Sequence, residues 1–420
     1  MSQPKKRILI IGRKSLQEMR YESWFDNAMA DVVLITSSEF LPNDESAMEN
    51  MEQHLERLIV VSSLDQSGEL EFLVIKEHKS RPFSAIIATQ EFDLLRAAAL
   101  RELLDIPGQS LESALCYRDK FLMKRKVKGE GIPVTPFALA KSACDIVTFY
   151  EENGPTIVIK PRDAAMSRGV VLCSESEQLV KLIRSDVGAE RVISPRYMME
   201  KFVRGRLYHV DGLRLEGRIE IIWASEYVGS LLPGASDGKI GSVFLDEGDP
   251  CLEKLTNCTR RVVDMLPSPD HMTFHAEFFV DEEENVIFNE IASRTGGLRI
   301  NQAFFERFGV NLNKVVSLRN AGFEGVLDFE RPKFQRSIGW LIVPQPRRGR
   351  VLSVPRGCDL PYVRELLIRA RPGEVFSGRG ETYSQYLASF ILEGLDAPDV
   401  KAKFDQCGSW LKDNVRVDEQ

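Results

Sequence analysis

The chain has 420 residues, of which 43% are hydrophobic and 28% are charged, and it carries a formal net charge of -7. These values are typical of a soluble globular protein with about three domains of roughly 100–200 residues each. The negative net charge argues against a general nucleic-acid binder, because neutralising phosphates requires clustered lysines and arginines. A local basic groove for a small anion remains compatible with this charge.

The seven cysteines are widely spaced and form no C-x-x-C pair, which indicates reduced thiols rather than a disulfide framework or a zinc site. The apolar run that follows Lys5-Lys6-Arg7 stops at Gly12, so it is too short for the hydrophobic core of a signal peptide. No other run approaches the ~20 apolar residues of a membrane span. The sequence therefore predicts a cytoplasmic protein without a membrane partner.

Strands alternate with helical patterns in the first segment of the chain. Apolar runs predict strands at residues 7–11, 32–36 and 84–89, and the remaining patterns are compatible with helices at 15–30 and 91–104. This alternation indicates a parallel α/β layer. The patterns G-x-G-x-x-G and G-x-x-x-x-G-K-[ST] are both absent from the sequence, which excludes a dinucleotide fingerprint and a P-loop.

The rest of the chain is richer in strands. We predict helices at residues 119–130, 177–183 and 383–392, and strands at 157–160, 197–203, 219–227, 274–280, 286–291 and 338–343. The acidic turn 281–285 is expected to join two of these strands into a hairpin. Residues 230–241 include four glycines or prolines and form a candidate closing loop.

Two carboxylates lie on the predicted hairpin, Glu277 and Glu290, and their spacing allows both to reach one face across the turn. Hard cations such as Mg²⁺ prefer oxygen ligands and are commonly bound through one or two carboxylates plus phosphate. Both glutamates lie among apolar neighbours, where a carboxylate normally needs a partner or a metal. The alternative is a pair of solvent-facing glutamates on an amphipathic ribbon.

Two basic residues are candidates for anion binding. Lys160 ends a strand that leads into the small-residue loop 163–169, and a loop of this type can cover phosphates with its N–H groups. Arg294 follows Glu290 and precedes two glycines, a position from which a guanidinium can clamp a phosphate or carboxylate. Taken alone, Lys160 is a weak signal, and Arg294 is better explained as a surface arginine before a turn.

Eight short motifs follow one another along the chain. In order they are Arg118-Asp119-Lys120, Gly131-Ile132-Pro133-Val134, Ile159-Lys160-Pro161, Ser167-Arg168-Gly169-Val170, Glu200-Lys201-Phe202-Val203, His209-Val210-Asp211-Gly212, His275-Ala276-Glu277-Phe278-Phe279 and Asn289-Glu290-Ile291-Ala292-Ser293-Arg294. This series resembles the ATP-grasp superfamily across nearly the whole chain. Within that superfamily it is most similar to carboxylate–amine ligases such as the L-amino-acid (dipeptide) ligases.

The resemblance implies a multidomain α/β and α+β protein with the ATP-grasp fold. It divides the chain into an N-terminal parallel α/β domain at 1–114, a small subdomain at 115–205, a large subdomain at 206–325 and a C-terminal lid-like extension at 326–420. It also implies ATP and Mg²⁺ as cofactors, with Mn²⁺ as a substitute. The implied reaction activates the carboxylate of an amino acid as an acyl phosphate, transfers it to an amine and releases ADP and phosphate.

The resemblance further implies the role of each motif residue. The phosphates would contact Lys120, Lys160, Ser167 and Gly169, adenine would contact Glu200, Lys201 and Val203, the metal would contact Glu277 and Glu290, and Arg294 and Lys160 would act in catalysis. The chain departs from the family pattern at Ala164 and Ala165 in the phosphate loop, at Leu207 and at Ala292. Because Leu207 replaces the glutamate that often binds ribose, that contact is expected to pass to His209 or Asp211.

Other functions remain open at this stage. One alternative is that the acceptor is not an amine but the phosphopantetheine thiol of an acyl carrier protein. The basic run 347–350 could meet an acidic carrier, but a solvated loop explains this run better. A non-catalytic ATP-binding module and an ATP-dependent phosphotransferase are further alternatives. A homodimer is also compatible with the sequence, since dimers are common among soluble proteins.

Overall fold

The computed structural model describes residues 5–14, 19–25, 28–42, 44–184, 193–229, 239–324, 336–345, 348–376 and 386–418. In this part of the chain the α-helices are α1 (Glu45–Glu52), α2 (Glu69–Ser80), α3 (Leu94–Leu104), α4 (Leu111–Arg118), α5 (Lys120–Gly129), α6 (Ala143–Asn153), α7 (Ser176–Arg184), α8 (Pro250–Met265), α9 (Ile300–Phe308), α10 (Leu312–Asn320) and α11 (Ala397–Asn414). Short 3₁₀ helices lie at Tyr21–Ser23, Ser38–Phe40 and Glu91–Asp93.

The strands form four sheets. They are β1 (Lys6–Ile11), β2 (Ala30–Ser37), β3 (Arg57–Val61), β4 (Ala85–Ala88), β5 (Phe137–Leu139), β6 (Ile157–Pro161), β7 (Val171–Cys173), β8 (Tyr197–Lys201), β9 (Gly205–Leu215), β10 (Arg218–Val228), β11 (Ile240–Phe244), β12 (Met272–Asp281), β13 (Val286–Ala292), β14 (Ser337–Pro344), β15 (Gly349–Ser353), β16 (Val363–Ile368), β17 (Val375–Phe376), β18 (Tyr386–Gly394) and β19 (Arg416–Asp418).

The first sheet has the strand order β3-β2-β1-β4, and its strands are parallel. The central strand β1 is apolar from Ile8 to Ile11, and these four residues are fully buried. A continuous apolar run of this kind is typical of a parallel strand that is covered on both faces. The parallel α/β layer predicted for the first segment is therefore confirmed.

The second sheet is antiparallel, with the order β5-β8-β6-β7. Helices α6 and α7 cover one of its faces through Ile146, Phe149 and Leu179, which are buried with the strands in one core. Strands β6 and β8 carry Lys160 and Glu200. This small sheet therefore supplies two of the predicted nucleotide contacts from adjacent strands.

The largest sheet has eight strands in the order β13-β12-β9-β10-β11-β14-β18-β16. Side chains alternate between the faces of a strand, and one face of β9 and β12 packs Val210, Phe274 and Phe278 into an apolar core with α8. The residues between these positions, among them His209 and Glu277, face the opposite side. The sheet therefore separates an apolar core from a polar face.

The segment at 383–392 is not helical where the structure describes it, so that prediction is wrong. Residues Tyr386–Gly394 form the interior strand β18, which pairs with β14 and β16. Nearly all of its side chains are buried, and short apolar runs cannot be assigned to a buried helix or a buried strand from periodicity alone. Burial on both faces removed the alternation that marks a strand.

Two other predictions need correction or lie outside the described residues. The described part of 15–30 contains only the 3₁₀ helix and the start of β2, because Met19, Tyr21, Trp24 and Phe25 are all buried rather than arranged on one helical stripe. Of the candidate closing loop at 230–241, residues 230–238 lie outside the described residues, and Ile240 begins β11. Among the described helices, none has the length and apolar character needed to cross a membrane.

Candidate active site

Glu277 and Glu290 are cross-strand partners on the β12–β13 hairpin. A β-bulge follows Glu277, and bulges of this kind re-aim side chains next to functional sites. Both side chains are half-buried. The structure therefore brings together the two carboxylates that the sequence separates by the acidic turn.

Three basic or amide groups surround these carboxylates. The Nζ atom of Lys120 lies 3.4 Å from an Oε of Glu290. The Nζ atom of Lys160 donates to Oδ1 of Asn289 at 3.3 Å, and Nδ2 of Asn289 donates to Glu277 at 3.0 Å. The hairpin end is therefore linked to α5 through Lys120 and to the small sheet through Lys160.

Glu200 carries two ion pairs inside the protein. Its carboxylate lies 2.9 Å from Nζ of Lys160 and 3.0 Å from Nζ of Lys124. Burial alone would raise the pKa of Glu200, but the two lysines outweigh this effect and hold the pKa at about 2. For Lys160, burial would lower the pKa, but Glu200 and Glu290 raise it. Glu200 therefore anchors the lysine rather than presenting a free carboxylate.

Lys124 is a site residue that sequence reasoning missed. It is only 1% exposed, and burial lowers its pKa in spite of Glu200. A signal was present, because residues four apart on a helix share one face and Lys124 follows Lys120 by one turn of α5. The two lysines therefore project from α5 toward the site together.

Arg294 is held by Glu91, which lies in the 3₁₀ helix Glu91–Asp93 that follows β4. Its Nε donates to Oε2 of Glu91 at 2.7 Å, and its Nη2 contacts the same oxygen. The other Glu91 oxygen accepts from Arg118. Burial would raise the pKa of Glu91, but the two guanidiniums lower it to about 2. No local sequence pattern marks Glu91, since its partners are distant in the chain.

The predicted phosphate loop lies beside Lys120. The lysine Nζ donates to the carbonyl of Ala164 at 2.6 Å, so Lys120 contacts both this loop and Glu290. Met166, Ser167 and Gly169 adopt positive φ angles of 57°, 55° and 71°, a backbone shape of the kind that forms anion-binding concavities. The loop is therefore placed near the hairpin, and the phosphate roles of Ser167 and Gly169 stay predictions.

The predicted adenine contacts lie at the end of β8. The N–H of Lys201 donates to the carbonyl of Pro136 at 3.0 Å, and its own carbonyl accepts from Thr135 Oγ1 at 2.8 Å. A carbonyl oxygen has a second lone pair, so Lys201 can still accept from a ligand. Val203 follows the end of the strand and is half-buried. The adenine role of these residues stays a prediction.

His209 and Asp211 lie in a buried polar cluster, each only 2% exposed. Asp211 contacts Nδ1 of His209 at 2.5 Å and Nδ1 of His275 at 2.9 Å, and Nε2 of His209 bonds to Ser242 at 2.6 Å. Three ligand-type side chains thus lie within 4.8 Å of one another, but Asp211 satisfies both histidines without a metal. Their burial does not support the ribose contact predicted for His209 and Asp211.

One further contact connects this cluster to Glu277, one of the two predicted metal ligands. Nε2 of His275 lies 3.5 Å from an Oε of Glu277. Burial would lower the pKa of His275, but Asp211 raises it to about 9. Burial would raise the pKa of Glu277, but the hydrogen bond from His275 more than offsets this effect, so the pKa of Glu277 is lowered. The site thus combines two carboxylates, two lysines and one arginine, a set suited to polyphosphate and carboxylate groups.

The comparison with known proteins starts from sequence. No family model matches the chain. Over 259 residues the chain is 26% identical to the L-arginine-specific L-amino acid ligase of Bacillus subtilis, and the alignment covers 61% of this chain and 62% of that protein. The chain therefore spans less than two thirds of the length of this curated relative.

Solved structures match over nearly the whole chain. The L-amino acid ligase from Bacillus licheniformis has a TM-score of 0.77 and 18% identity, with 99% of each chain covered. Phosphoribosylglycinamide synthetase from Anaerococcus prevotii has a TM-score of 0.70 and 12% identity, over 99% of this chain and 100% of that one. These matches confirm the predicted architecture: the chain has the ATP-grasp fold and is similar to the L-amino acid ligases within the ATP-grasp superfamily.

Proposed function

We propose that the protein is an ADP-forming ligase that uses ATP and Mg²⁺ to join the carboxylate of an amino acid to an amine. The observation that carries this proposal is the grouping of Glu277 and Glu290 with Lys120, Lys160 and Arg294 at one end of the β12–β13 hairpin. The sequence similarity to an L-amino acid ligase supports the substrate class.

The donor set fits the proposed metal. Glu277 and Glu290 offer oxygen ligands from neighbouring strands, and Mg²⁺ is commonly held by one or two carboxylates together with substrate phosphates. These two residues would therefore hold Mg²⁺, or Mn²⁺ in its place. When bound, the ion would supply positive charge against the phosphate oxygens.

The side chains around the carboxylates divide the remaining tasks. Lys160, held by Glu200, and Lys120, held by Glu290 and the Ala164 carbonyl, supply fixed positive charge for the triphosphate. We assign to Arg294, which Glu91 orients, the binding of the substrate carboxylate and of the transferring phosphoryl group. Phosphoryl transfer of this kind depends mainly on positioning and electrostatics, so the chain needs no nucleophile of its own.

The proposed reaction has two steps. A carboxylate oxygen of the substrate attacks the γ-phosphorus of ATP, and ADP leaves. The amine nitrogen then attacks the carbonyl carbon of the acyl phosphate, phosphate leaves, and the nitrogen loses a proton. Because an acyl phosphate is prone to hydrolysis, the site must exclude water between these steps.

The test is to incubate the full chain with ATP, Mg²⁺ and a panel of amino acids, with and without an acyl carrier protein, and to measure nucleotide products. Release of ADP and phosphate with formation of a dipeptide is the expected result. Release of AMP and pyrophosphate would refute the acyl-phosphate route. Turnover that requires the carrier protein would favour its thiol as the acceptor, and no turnover with any substrate would favour a binding module.

A further inference from the structure

A polar cavity lies behind Arg294, between the first sheet and the eight-stranded sheet. It has a volume of about 40 Å³, and Thr89, Thr273, Asn313 and Arg101 are among the residues that line it. These residues come from the end of β4, the start of β12, α10 and α3. A cavity of this size holds about three water molecules at roughly 10–15 Å³ each, or one short polar side chain.

Arg101 is a buried cation in the wall of this cavity. Its guanidinium donates to the main-chain carbonyl of Ile86 at 2.6 and 3.2 Å and to that of Gln109 at 3.5 Å. Among the described residues, no carboxylate forms an ion pair with it. Burial lowers the pKa of Arg101 to about 10, so the group still carries its charge at neutral pH. A buried charge without a counter-ion is costly.

The remaining charge around the cavity has the same sign. Two arginines, Arg101 and Arg294, line the cavity, and none of its described lining residues is Asp or Glu. Arg294 is neutralised by Glu91, whereas Arg101 has only carbonyl partners. The cavity is therefore electrostatically suited to an anionic group and unsuited to a cation.

The cavity lies within reach of the reacting groups. Arg294 contributes to the cavity wall and is also the proposed clamp for the substrate carboxylate. A substrate whose α-carboxylate meets Arg294 therefore has the cavity within reach of a short side chain.

We propose that this cavity is the side-chain subsite for the activated amino acid and that it takes a short anionic side chain of the aspartate type. This proposal rests on the proposed function. The side-chain carboxylate pairs with Arg101 and accepts hydrogen bonds from neutral donors such as Asn313. A cationic side chain would meet the guanidinium of Arg101 instead, so the substrate differs from the L-arginine for which the Bacillus subtilis relative is named.

The first test is equilibrium binding to the unmodified full chain in the presence of Mg²⁺ and ADP. Calorimetric titrations with L-aspartate, L-asparagine, L-leucine and L-arginine compare side chains of different charge. L-Aspartate should bind about tenfold or more tightly than each of the others, as expected for a charge-assisted hydrogen bond to a buried arginine. Equal or tighter binding of any other amino acid, or no binding of aspartate, overturns the proposal.

The second test uses variants of the cavity wall. Arg101→Gln should weaken aspartate binding about tenfold while changing asparagine binding by less than about threefold. Arg101 also donates to the Gln109 carbonyl, so its replacement could disturb the local fold, and a second variant is needed. Asn313→Leu narrows the cavity from α10. It should weaken aspartate binding and leave ADP binding unchanged. An unchanged aspartate affinity in both variants contradicts the subsite.

The matched control is Arg307→Gln. Arg307 is also a buried arginine that donates to a main-chain carbonyl, that of Arg336 at 3.0 Å, but it does not line the cavity. Aspartate affinity should be the same in this variant as in the unmodified chain. The binding measurements can refute the subsite without refuting the proposed function. The proposed function is refuted separately, if no amino acid elicits release of ADP.

Discussion

The carboxylate of Glu91 binds the guanidinium of Arg294, although the two residues are 203 positions apart in the chain. This ion pair joins the first sheet to the end of the β12–β13 hairpin. Since Arg118 binds the other oxygen of Glu91, one carboxylate orients two guanidiniums. The N-terminal segment thus helps to build the site and does not merely flank it.

Replacing Glu91 by Gln should reduce kcat/KM for the amino acid by roughly 100-fold, because a misplaced clamp disturbs the geometry of the reacting groups. It should also lower stability by about 3 kcal/mol or more, since two buried guanidiniums lose their counter-ion. Steady-state kinetics and thermal unfolding measure the two effects. The control is Glu49→Gln on the exposed side of α1, and equal behaviour of the two variants would contradict the role of Glu91.

Glu290→Gln should abolish ADP release while the protein stays folded. The substitution keeps the shape of the side chain but removes the charge that a hard cation requires. Mn²⁺ titration followed by electron paramagnetic resonance should show loss of metal binding in the presence of ADP. Glu283→Gln, in the exposed turn of the same hairpin, should retain full activity. Near-normal turnover by the Glu290 variant would refute the metal assignment.

Lys124→Met should destabilise the protein by about 3–5 kcal/mol, the usual effect of removing one partner from a buried ion pair. The variant leaves Glu200 with Lys160 alone. Lys126→Met on the same helix serves as the control, because Lys126 is half-buried and forms a longer ion pair, 3.8 Å, with the exposed Glu112. Chemical denaturation should separate the variants, and similar unfolding free energies would show that the Lys124–Glu200 pair is dispensable.

Gly296→Ala should lower both stability and activity. A Cβ at this position would lie 2.7 Å from Oδ1 of Asp211 and 2.9 Å from Nδ1 of His275, so the loop that carries Arg294 must move. Overpacking of this kind costs about 1–3 kcal/mol. Gly297→Ala is the matched control, since no heavy atom would lie within 4 Å of its Cβ. Thermal unfolding and ADP release should be nearly unaffected in the control.

His275 should make the stability dependent on pH in the alkaline range. Its pKa is about 9 in the folded protein and about 6.5 in an unfolded chain. Its contribution is therefore fully present below pH 6.5 and is lost as the pH rises through 9. The difference in Tm between the unmodified chain and His275→Gln should shrink steadily from pH 6 to pH 10. A difference that is independent of pH would exclude a charged His275.

The sequence predicted those parts of the candidate site whose geometry depends on residues close together in the chain. The hairpin follows from two apolar runs around an acidic turn, and that hairpin places Glu277 opposite Glu290. Lys160 could be identified from the sequence because it precedes a proline at the end of a strand. In each case the signal lies within about fifteen residues, a range over which strand alternation and turn chemistry determine geometry.

The contacts that escaped prediction are long-range. Glu91 meets Arg294 across two sheets, and Lys124 of α5 meets Glu200 of β8, so each pair joins elements that are far apart in the chain. The burial that gives these pairs their effect depends on the assembled fold, and no periodic pattern encodes it. The ribose role of His209 and Asp211 stays a prediction, although both side chains are buried and bonded to each other within β9.

The eight-stranded sheet runs without interruption from the carboxylate hairpin to strands β14, β18 and β16 near the end of the chain. Strand β14 connects the two parts of this sheet, because it pairs with β11 on one side and with β18 on the other. Substitutions in β14, β18 or β16 are therefore constrained by the sheet that carries Glu277 and Glu290 as well as by the packing of these strands themselves. In evolutionary terms, the C-terminal segment and the hairpin are expected to diverge together.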